Sequence, residues 1–228
     1  MIRKIFAYLK SKISFLLRGF LFPFEARKFL KDKNLFRSRK HLKRIIYFWN
    51  NTWSAQEEYL LGIFEELDRG NIEVVVECGS GLTTLLLGFY AVHRPEIKIY
   101  SLENNPEWFQ RIKVCCDQFH LSNVQLIYAP IKAYADFDWY DISQFPEGVR
   151  PHLVVCDGPP GSTRGGRSGV FFCLQKHFYN RGTILLDDAS RDGEKKDIAK
   201  WISIQPCLRV EILGVKKPYA RISWGEGT

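Results

Sequence analysis

Residues 74–84, VVVECGSGLTT, decide the fold of this chain. Three β-branched residues precede an acid, and Gly79 and Gly81 then lead into the apolar segment 82–90, which predicts a buried strand followed by a helix. A glycine loop at such a junction lets the backbone approach a ligand closely, and the free N–H groups at the helix start attract polar or anionic groups. The segment therefore predicts a nucleotide-type ligand site, the alternative being a tight strand-to-helix turn without a ligand.

A second strand pattern, residues 98–102, ends in Glu103, which lies 22 residues after Gly81. At the tip of the second strand of a strand-helix-strand unit, a carboxylate accepts hydrogen bonds from both ribose hydroxyls of an adenosine. Such a carboxylate favours a ribose that carries no phosphate. Glu103 is therefore predicted to bind the ribose of an adenosine cofactor, the alternative being a solvated charge.

Two adenosine cofactors, a nicotinamide dinucleotide (NAD) and S-adenosylmethionine, are compatible with this pattern. The dinucleotide loop has the form GxGxxG/A, since a small third residue lets helix and strand pack closely, but this chain has Thr84 there. The arrangement Glu77-x-Gly79-x-Gly81 instead resembles the first motif of class I S-adenosylmethionine-dependent methyltransferases, whose loop wraps the methionine part of the cofactor. Three more segments resemble the ends of the second, fourth and fifth strands of that family: SLENN (101–105), VVCDGPPG (154–161) and GTILLDDAS (182–190). The resemblance covers residues 53–225.

The order of strand and helix patterns predicts an α/β fold. The patterns alternate from residue 57 to residue 203, with an aromatic loop between residues 129 and 152 and a helix over about 169–179. The last two strands, 208–215 and 219–224, are too close together for a crossover helix, so they should form an antiparallel hairpin at the sheet edge. The resemblance implies the same architecture, a Rossmann-like, doubly wound, mostly parallel seven-stranded sheet that ends in an antiparallel hairpin.

The resemblance also implies S-adenosyl-L-methionine as the cofactor and places it at the glycine loop and the neighbouring strand ends. The cofactor-binding residues would be Glu77, Gly79, Ser80, Gly81, Glu103, Asn104 and Asp157. The chain would then be a methyltransferase enzyme. The alternatives are an NAD-dependent oxidoreductase, and a non-catalytic module that binds a membrane or RNA and retains the fold.

Asp157 and Asp188 are the catalytic candidates, because ligands of open α/β sheets bind at the carboxyl ends of the strands. Asp157 closes one strand and is followed by GPPG, whose prolines stiffen the turn. Asp187 and Asp188 close the next strand; since adjacent strand residues point to opposite faces, only one should face the cleft, and the resemblance favours Asp188. Asp157 or Asp188 would help to deprotonate a hydroxyl acceptor. Helix capping and solvated charge are the alternatives for the aspartate pair.

Oxygen is the favoured acceptor atom, on a small-molecule, sugar or lipid-linked acceptor, and no metal is included in the predicted site. Many nitrogen-directed relatives have an Asn/Asp-Pro-Pro-aromatic motif, from which residues 157–161 depart. Catechol-type methyltransferases bind magnesium through an acid at the fourth strand and an Asp-Asn pair at the fifth, but Ala189 takes the asparagine position here, which leaves magnesium as an alternative. In the loop 162–168, Arg164 and Arg167 would suit an anionic acceptor, unless the loop is a solvated lid.

The composition is that of one globular domain with an appendage. A chain of 228 residues with 46% hydrophobic residues can bury one substantial core but not two full catalytic domains. The six cysteines include no CxxC pair and no Cys/His grouping with zinc spacing, which predicts free thiols in a reducing, cytoplasmic compartment.

The net charge of +8 is distributed unevenly along the chain. Residues 1–44 contain fourteen Lys or Arg and two acids, giving +12, and the remaining residues carry −4. Apolar residues recur near the N-terminus at spacings of three and four, which predicts an amphipathic helix: Ile2, Ile5, Phe6, Leu9, Ile13, Leu16, Leu17 and Phe20. The chain is therefore predicted to consist of a basic amphipathic helical arm, 1–50, and an S-adenosylmethionine-binding domain, 51–228.

Three interpretations of this arm are open: packing on the domain, lying on an anionic membrane surface, and binding nucleic acid. Arg18 interrupts the apolar run well short of the length of a membrane span. Phenylalanines among the bases fit insertion at a lipid interface. Nucleic-acid binding is disfavoured, because no RNA- or DNA-reading motif accompanies the bases. The predicted location is cytoplasmic, peripheral membrane association through the arm stays open, and the sequence does not predict an oligomeric state.

Overall fold

The structure is a computed structural model that describes residues 2–49, 51 and 54–225, and for residues 2–16 it describes the backbone alone. Seven α-helices lie in the described part of the chain: α1 (Ile2–Lys31), α2 (Arg39–Trp49), α3 (Glu57–Arg69), α4 (Leu82–His93), α5 (Pro106–Gln118), α6 (Gly169–Leu174) and α7 (Asp192–Ile204). The strands in the same part are β1 (Val74–Cys78), β2 (Lys98–Glu103), β3 (Val124–Tyr128), β4 (Ile131–Ala133), β5 (Asp138–Tyr140), β6 (Leu153–Cys156), β7 (Gly182–Leu186), β8 (Arg209–Leu213) and β9 (Tyr219–Trp224).

Seven of these strands form one sheet in the order β3-β2-β1-β6-β7-β9-β8. The strands from β3 to β7 in this order pair in parallel, whereas β9 pairs antiparallel with both β7 and β8. The predicted α/β fold, with its seven-stranded sheet and terminal hairpin, is confirmed. The strand order reverses between β1 and β6, and such a switch point is where open α/β sheets bind their ligands.

Adjacent residues of the central strand fill two different cores, as the two-residue period of a strand requires. Val75 packs with the buried side chains of α3, α4 and α5 on one face of the sheet. Val76 packs with those of α6 and α7 on the other face. Because helices cover both faces, the central strands β1 and β6 are buried on both sides, and polar residues such as Glu77 and Asp157 lie at or just beyond their carboxyl ends.

Helices α1 and α2 pack on the outer side of the α3 and α4 layer. Phe29 of α1 and Phe36 of the following turn belong to the same core as α3 and α4, and the Phe36 ring centroid lies 4.6 Å from that of Phe64. Arg44 of α2 donates to Glu25 of α1 at 2.8 Å. The second half of α1 and all of α2 are therefore packed against the domain. Among the described residues, no helix combines the length and the hydropathy needed to cross a membrane.

Two expectations for the segments around β6 are wrong. Part of the predicted aromatic loop forms the two-stranded antiparallel sheet β4–β5, where Lys132 pairs with Trp139. The rings of Trp139 and Tyr140 are fully buried, so packing against the domain fixes these short strands. The helix expected over about 169–179 ends at Leu174 and continues as a 3-10 turn, after which Phe178 has extended backbone.

Candidate functional site

The loop after β1 crosses the turn after β6 at the carboxyl edge of the sheet. Gly79 has a φ of +94°, and a Cβ atom on it would lie 3.1 Å from the backbone nitrogen of Gly158. A residue without a side chain is needed both for the left-handed backbone and for this close approach. Gly81 differs, since its backbone is extended and a Cβ atom there would meet nothing within 4 Å. Gly81 therefore faces open space above the sheet edge.

Glu77 supports the glycine loop from inside the fold. Its side chain is fully buried, and its Oε2 accepts hydrogen bonds from Thr84 and Ser101, both at 2.6 Å. The Thr84 hydroxyl in turn accepts from the Gly81 N–H at 2.8 Å, so this carboxyl group ties the loop to the start of α4. Burial raises the pKa of Glu77 to about 8. The structure places this residue beneath the loop, and its direct contact with a cofactor stays a prediction.

Glu103, at the end of β2, lies directly beside the glycine loop. Its Oε2 accepts from the Ser80 backbone N–H at 3.0 Å and from the Ser80 hydroxyl at 2.7 Å. Its Oε1 accepts from the Asn105 N–H at 2.7 Å, and the half-buried Asn104 follows Glu103 in the chain. Because a carboxylate oxygen has two lone pairs, Oε1 keeps one for a ligand, and Oε2 gains one if the Ser80 hydroxyl turns away. The structure thus brings the predicted loop and ribose residues together.

A contact that the sequence did not indicate holds the loop from the side of the arm. The indole N–H of Trp108, in the first turn of α5, donates to the Ser80 carbonyl at 2.8 Å. Its ring lies 6.1 Å from that of Trp49 at the end of α2, and the Arg111 guanidinium lies over both rings. The end of α2 therefore contacts the residue that fixes Ser80 in position.

Three carboxyl groups, those of Asp157, Asp187 and Asp188, meet where β6 and β7 end, with oxygens within 4.8 Å of one another. The expectation that the adjacent aspartates point to opposite faces is wrong, because both carboxyl groups lie in this cluster. The strand β7 ends at Leu186, and Asp188 has a left-handed backbone with a φ of +59°. The alternation of side chains therefore stops before these residues, and both carboxyl groups join the same cluster.

Asp157 is the acid of this cluster that solvent reaches. Its side chain is 26% exposed, against 0% for Asp187 and 7% for Asp188. Burial and the nearby Asp187 raise the pKa of Asp157 to about 7, although Arg167 and Lys217 act in the opposite direction. A carboxyl group that titrates near neutral pH is suited to accept a proton from a hydroxyl group. The geometry therefore suits Asp157 as a general base.

Lys217 brings a cation into the cluster from the turn between β8 and β9. Its ammonium group lies 2.6 Å from Asp187 Oδ2 and 3.1 Å from Asp188 Oδ1. Sequence reasoning missed this residue, but the register contains a signal for it. Leu186 pairs antiparallel with Ala220, so the residues before Ala220 lie beside those that follow Leu186.

The two loop arginines serve the protein itself, so the expectation that they would bind an anionic acceptor finds no support. Arg167 is 2% exposed and donates to the carbonyl oxygens of Asp187 at 2.6 Å and Asp157 at 2.8 Å. Arg164 donates to Asp138 Oδ1 at 2.7 Å and also to backbone carbonyls of the β4–β5 hairpin region. Both guanidinium groups thus fix the loop between β6 and α6.

The carboxyl cluster is a poor fit for a divalent metal. Lys217 already bridges two of its three acids. Asp188 is paired in addition with Arg167 at 3.2 Å and with Arg191 at 2.8 Å. A metal ion would have to displace an ammonium group and face two guanidinium groups, which costs electrostatic energy in a buried site. We therefore assign no step of the chemistry to a metal.

Comparison with known proteins finds similar solved structures but no similar sequence. No protein-family model matches the sequence, and no curated protein matches it. Solved structures with the same fold include the SAH-bound methyltransferase PaMTH1 of Podospora anserina, at 19% identity and a TM-score of 0.58, covering 76% of this chain and 80% of that one. A precorrin-6y C5,15-methyltransferase from Geobacter metallireducens has 17% identity and a TM-score of 0.58, covering 77% and 92%.

A third structure is that of a protein from Staphylococcus aureus assigned as a caffeoyl-CoA O-methyltransferase. It has 15% identity to this chain and a TM-score of 0.59, and the match covers 82% of this chain and 99% of that one. At these identities the likeness shows the fold. This chain has the Rossmann-like fold of class I methyltransferases, as its sequence motifs implied.

Proposed function

We propose that this protein is an S-adenosylmethionine-dependent methyltransferase. The observation that carries the proposal is the meeting of Glu103 with the glycine loop at the switch point of the sheet, beneath the open face of Gly81. An adenosine cofactor fits this combination, because its ribose needs a carboxylate and its chain needs an approach to bare backbone. PaMTH1, which shares the fold, was solved with SAH bound.

The residues around the loop would divide the binding of the cofactor among them. Glu103 would accept the ribose hydroxyls, with Asn104 beside it, while Gly79, Ser80 and Gly81 would follow the methionine part. Glu77 would keep the loop in shape through Thr84. When bound, S-adenosylmethionine supplies a methyl group on a positively charged sulfur, which leaves as the methyl passes to a nucleophile. Asp157 would lie near the transferred group, because it borders Gly158, which meets Gly79.

We propose an oxygen atom of a small-molecule, sugar or lipid-linked compound as the acceptor. The hydroxyl oxygen would form the new bond to the methyl carbon, and Asp157 would take the hydroxyl proton. Its pKa of about 7 suits this transfer at neutral pH. Asp188 is paired with three cations, which suits a positioning role in the same cluster rather than proton transfer.

Titration calorimetry with S-adenosylmethionine, SAH and NAD tests the cofactor. Gly81→Val should keep the fold, because the Gly81 backbone is extended and a Cβ atom there has no protein atom within 4 Å, yet the added side chain should block the ligand. Glu103→Ala should weaken binding of S-adenosylmethionine by about 1.5 to 3 kcal/mol. Ser80→Ala is the matched control, since it removes the hydroxyl bond to Glu103 but leaves the carboxylate.

Two results would reject the proposal. Binding of NAD in place of S-adenosylmethionine would favour an oxidoreductase. Binding of none of the three compounds by the folded wild-type protein would favour a non-catalytic module with this fold. If Glu103→Ala and Ser80→Ala weaken binding equally, Glu103 acts on the loop rather than on the ribose.

We also propose a cytoplasmic protein that associates peripherally with a membrane. The six cysteines are all free thiols in the structure, which suits a reducing compartment. The positive charge of residues 1–44 suits an anionic surface. Helix α1 would supply the residues that contact this surface.

A further inference from the structure

From residue 17 to its end at Lys31, helix α1 has two apolar faces, of which the domain covers one. Phe22, Ala26 and Phe29 are buried against the domain. The other face carries Leu17, Phe20, Leu21 and Phe24, which are 54%, 69%, 40% and 54% exposed; we call these four residues the outer strip. Their spacing of three, four and seven residues places them side by side on one face of the helix.

The outer strip is more than a few scattered apolar residues on a surface. Single exposed leucines and phenylalanines are normal, but a contiguous apolar patch on a soluble surface marks an interaction site. The Phe20 and Phe24 rings contact each other, with centroids 6.0 Å apart, and form the centre of the patch. The opposite face of α1 holds the helix on the domain. The outer strip is therefore accessible to a partner while the helix stays folded and packed.

The same face of α1 becomes basic one turn further along. Arg27 and Lys31 are exposed, lie three and seven residues after Phe24, and make no ion pair with any residue that the structure describes. Lys28 beside them pairs with Glu25. The surface thus combines large apolar side chains with unpaired cations, and residues 1–44 carry a charge of +12.

We propose that the outer strip docks on an anionic membrane surface. Phe20 and Phe24 would enter the boundary between headgroups and acyl chains, and Arg27 and Lys31 would bind lipid phosphates. A second copy of this chain is a poor occupant, because two surfaces with these unpaired cations would repel each other. Nucleic acid would use the cations but would leave the leucines of the strip uncovered. A membrane satisfies both halves of the surface at once.

Co-sedimentation of the full chain with vesicles tests this surface. We compare vesicles of phosphatidylcholine alone with vesicles that contain about 30% phosphatidylglycerol. The wild-type protein should bind the anionic vesicles, and rising salt should weaken the binding without abolishing it, because the apolar residues contribute too. The double variant Phe20→Ser/Phe24→Ser should bind about tenfold more weakly or worse.

Matched variants separate this surface from general effects of charge and hydrophobicity. Val114→Ser/Val215→Ser removes two residues that are 62% and 88% exposed elsewhere, and it should bind as the wild type does. Arg27→Gln/Lys31→Gln should weaken binding to anionic vesicles, whereas the same change at Lys176 and Lys196, which are exposed lysines in the turn after α6 and in α7, should not. Circular dichroism confirms that each variant is folded.

Several outcomes would overturn the proposal. One is no binding of the folded wild-type protein to anionic vesicles, and another is an equal loss of binding in the Val114/Val215 control. Analytical ultracentrifugation that shows a dimer lost on Phe20→Ser/Phe24→Ser would assign the strip to a second copy. Binding of single-stranded RNA that depends on the strip and competes with vesicles would assign it to nucleic acid. None of these measurements depends on the identity of the cofactor.

Discussion

Glu77 and Asp157 are carboxyl groups at the ends of neighbouring strands, yet their surroundings give them different tasks. Glu77 is fully buried and receives two short hydrogen bonds from hydroxyl groups, so it holds the loop. Asp157 is partly exposed and lies among cations and other acids. Burial raises the pKa of both groups, but only Asp157 combines a pKa near 7 with access to solvent. A hydroxyl acceptor can therefore reach Asp157 and not Glu77.

Glu77 should make the stability of the protein depend on pH. Its pKa is about 8 in the folded chain against an ordinary value of 4.5, so between these pH values the unfolded chain releases a proton that the folded chain retains. Stability should therefore fall as the pH rises through this window, by about 1 kcal/mol per pH unit. Glu77→Gln should remove this part of the slope. Urea unfolding of both proteins at pH 5 and pH 8 measures it, and equal slopes would contradict the role of Glu77.

Lys217 should control the protonation of Asp157. Its ammonium group lowers the pKa of Asp157, so Lys217→Met should raise that pKa above about 7 and shift formation of the base to higher pH. The variant also leaves the buried Asp187 without its cation, which should cost about 3 kcal/mol of stability. Carbon-13 NMR titration of labelled aspartate measures the pKa. Lys216→Met is the control, because that exposed neighbour touches none of the three aspartates. An unchanged pKa of Asp157 in Lys217→Met would disprove the coupling.

At the scale of elements, local patterns predicted most of the sheet. The β-branched run before Glu77 marks β1, and the short separation of the last two strands forces an antiparallel hairpin, as observed. Glu103 could be found because its distance from the glycine loop reflects one helix between two parallel strands. These features depend on neighbours in the chain, and a sequence displays them directly.

The charged cluster could not be predicted in the same way, since it depends on contacts between distant elements. Lys217 and Asp187 are 30 residues apart, and Arg167 and Asp188 are 21 residues apart. Asp188 has a left-handed backbone, which aspartate adopts more often than most residues but too rarely for the sequence to predict it here. Arginines in a glycine-rich loop suggest a solvated lid, whereas Arg167 is buried because the strand ends offer it carbonyl oxygens that need donors.

At the scale of the whole molecule, the packing of the arm also depends on distant contacts that the sequence does not predict. Apolar spacing in α1 predicts a helix but not which side the domain covers, and the structure uses one side for packing and exposes the other. Through Trp49 and Trp108, the packed part also contacts the residue that holds Ser80. The described part of the arm is thus both a covering layer for the α3 and α4 core and a support for the site.

This layer should unfold together with the domain rather than before it. Phe36 is fully buried, with its ring 4.6 Å from Phe64 of α3 and 5.3 Å from Tyr90 of α4, so Phe36→Ala should cost about 3 to 5 kcal/mol of stability by leaving a cavity at this interface. Phe24→Ala, on the exposed face of α1, is the matched control and should change stability by less than about 0.5 kcal/mol. Urea unfolding followed both by tryptophan fluorescence and by far-ultraviolet circular dichroism measures both variants. Because the packed arm shares the core, the two probes should give one transition, and a separate early transition in the wild type would show that the arm is a detachable unit.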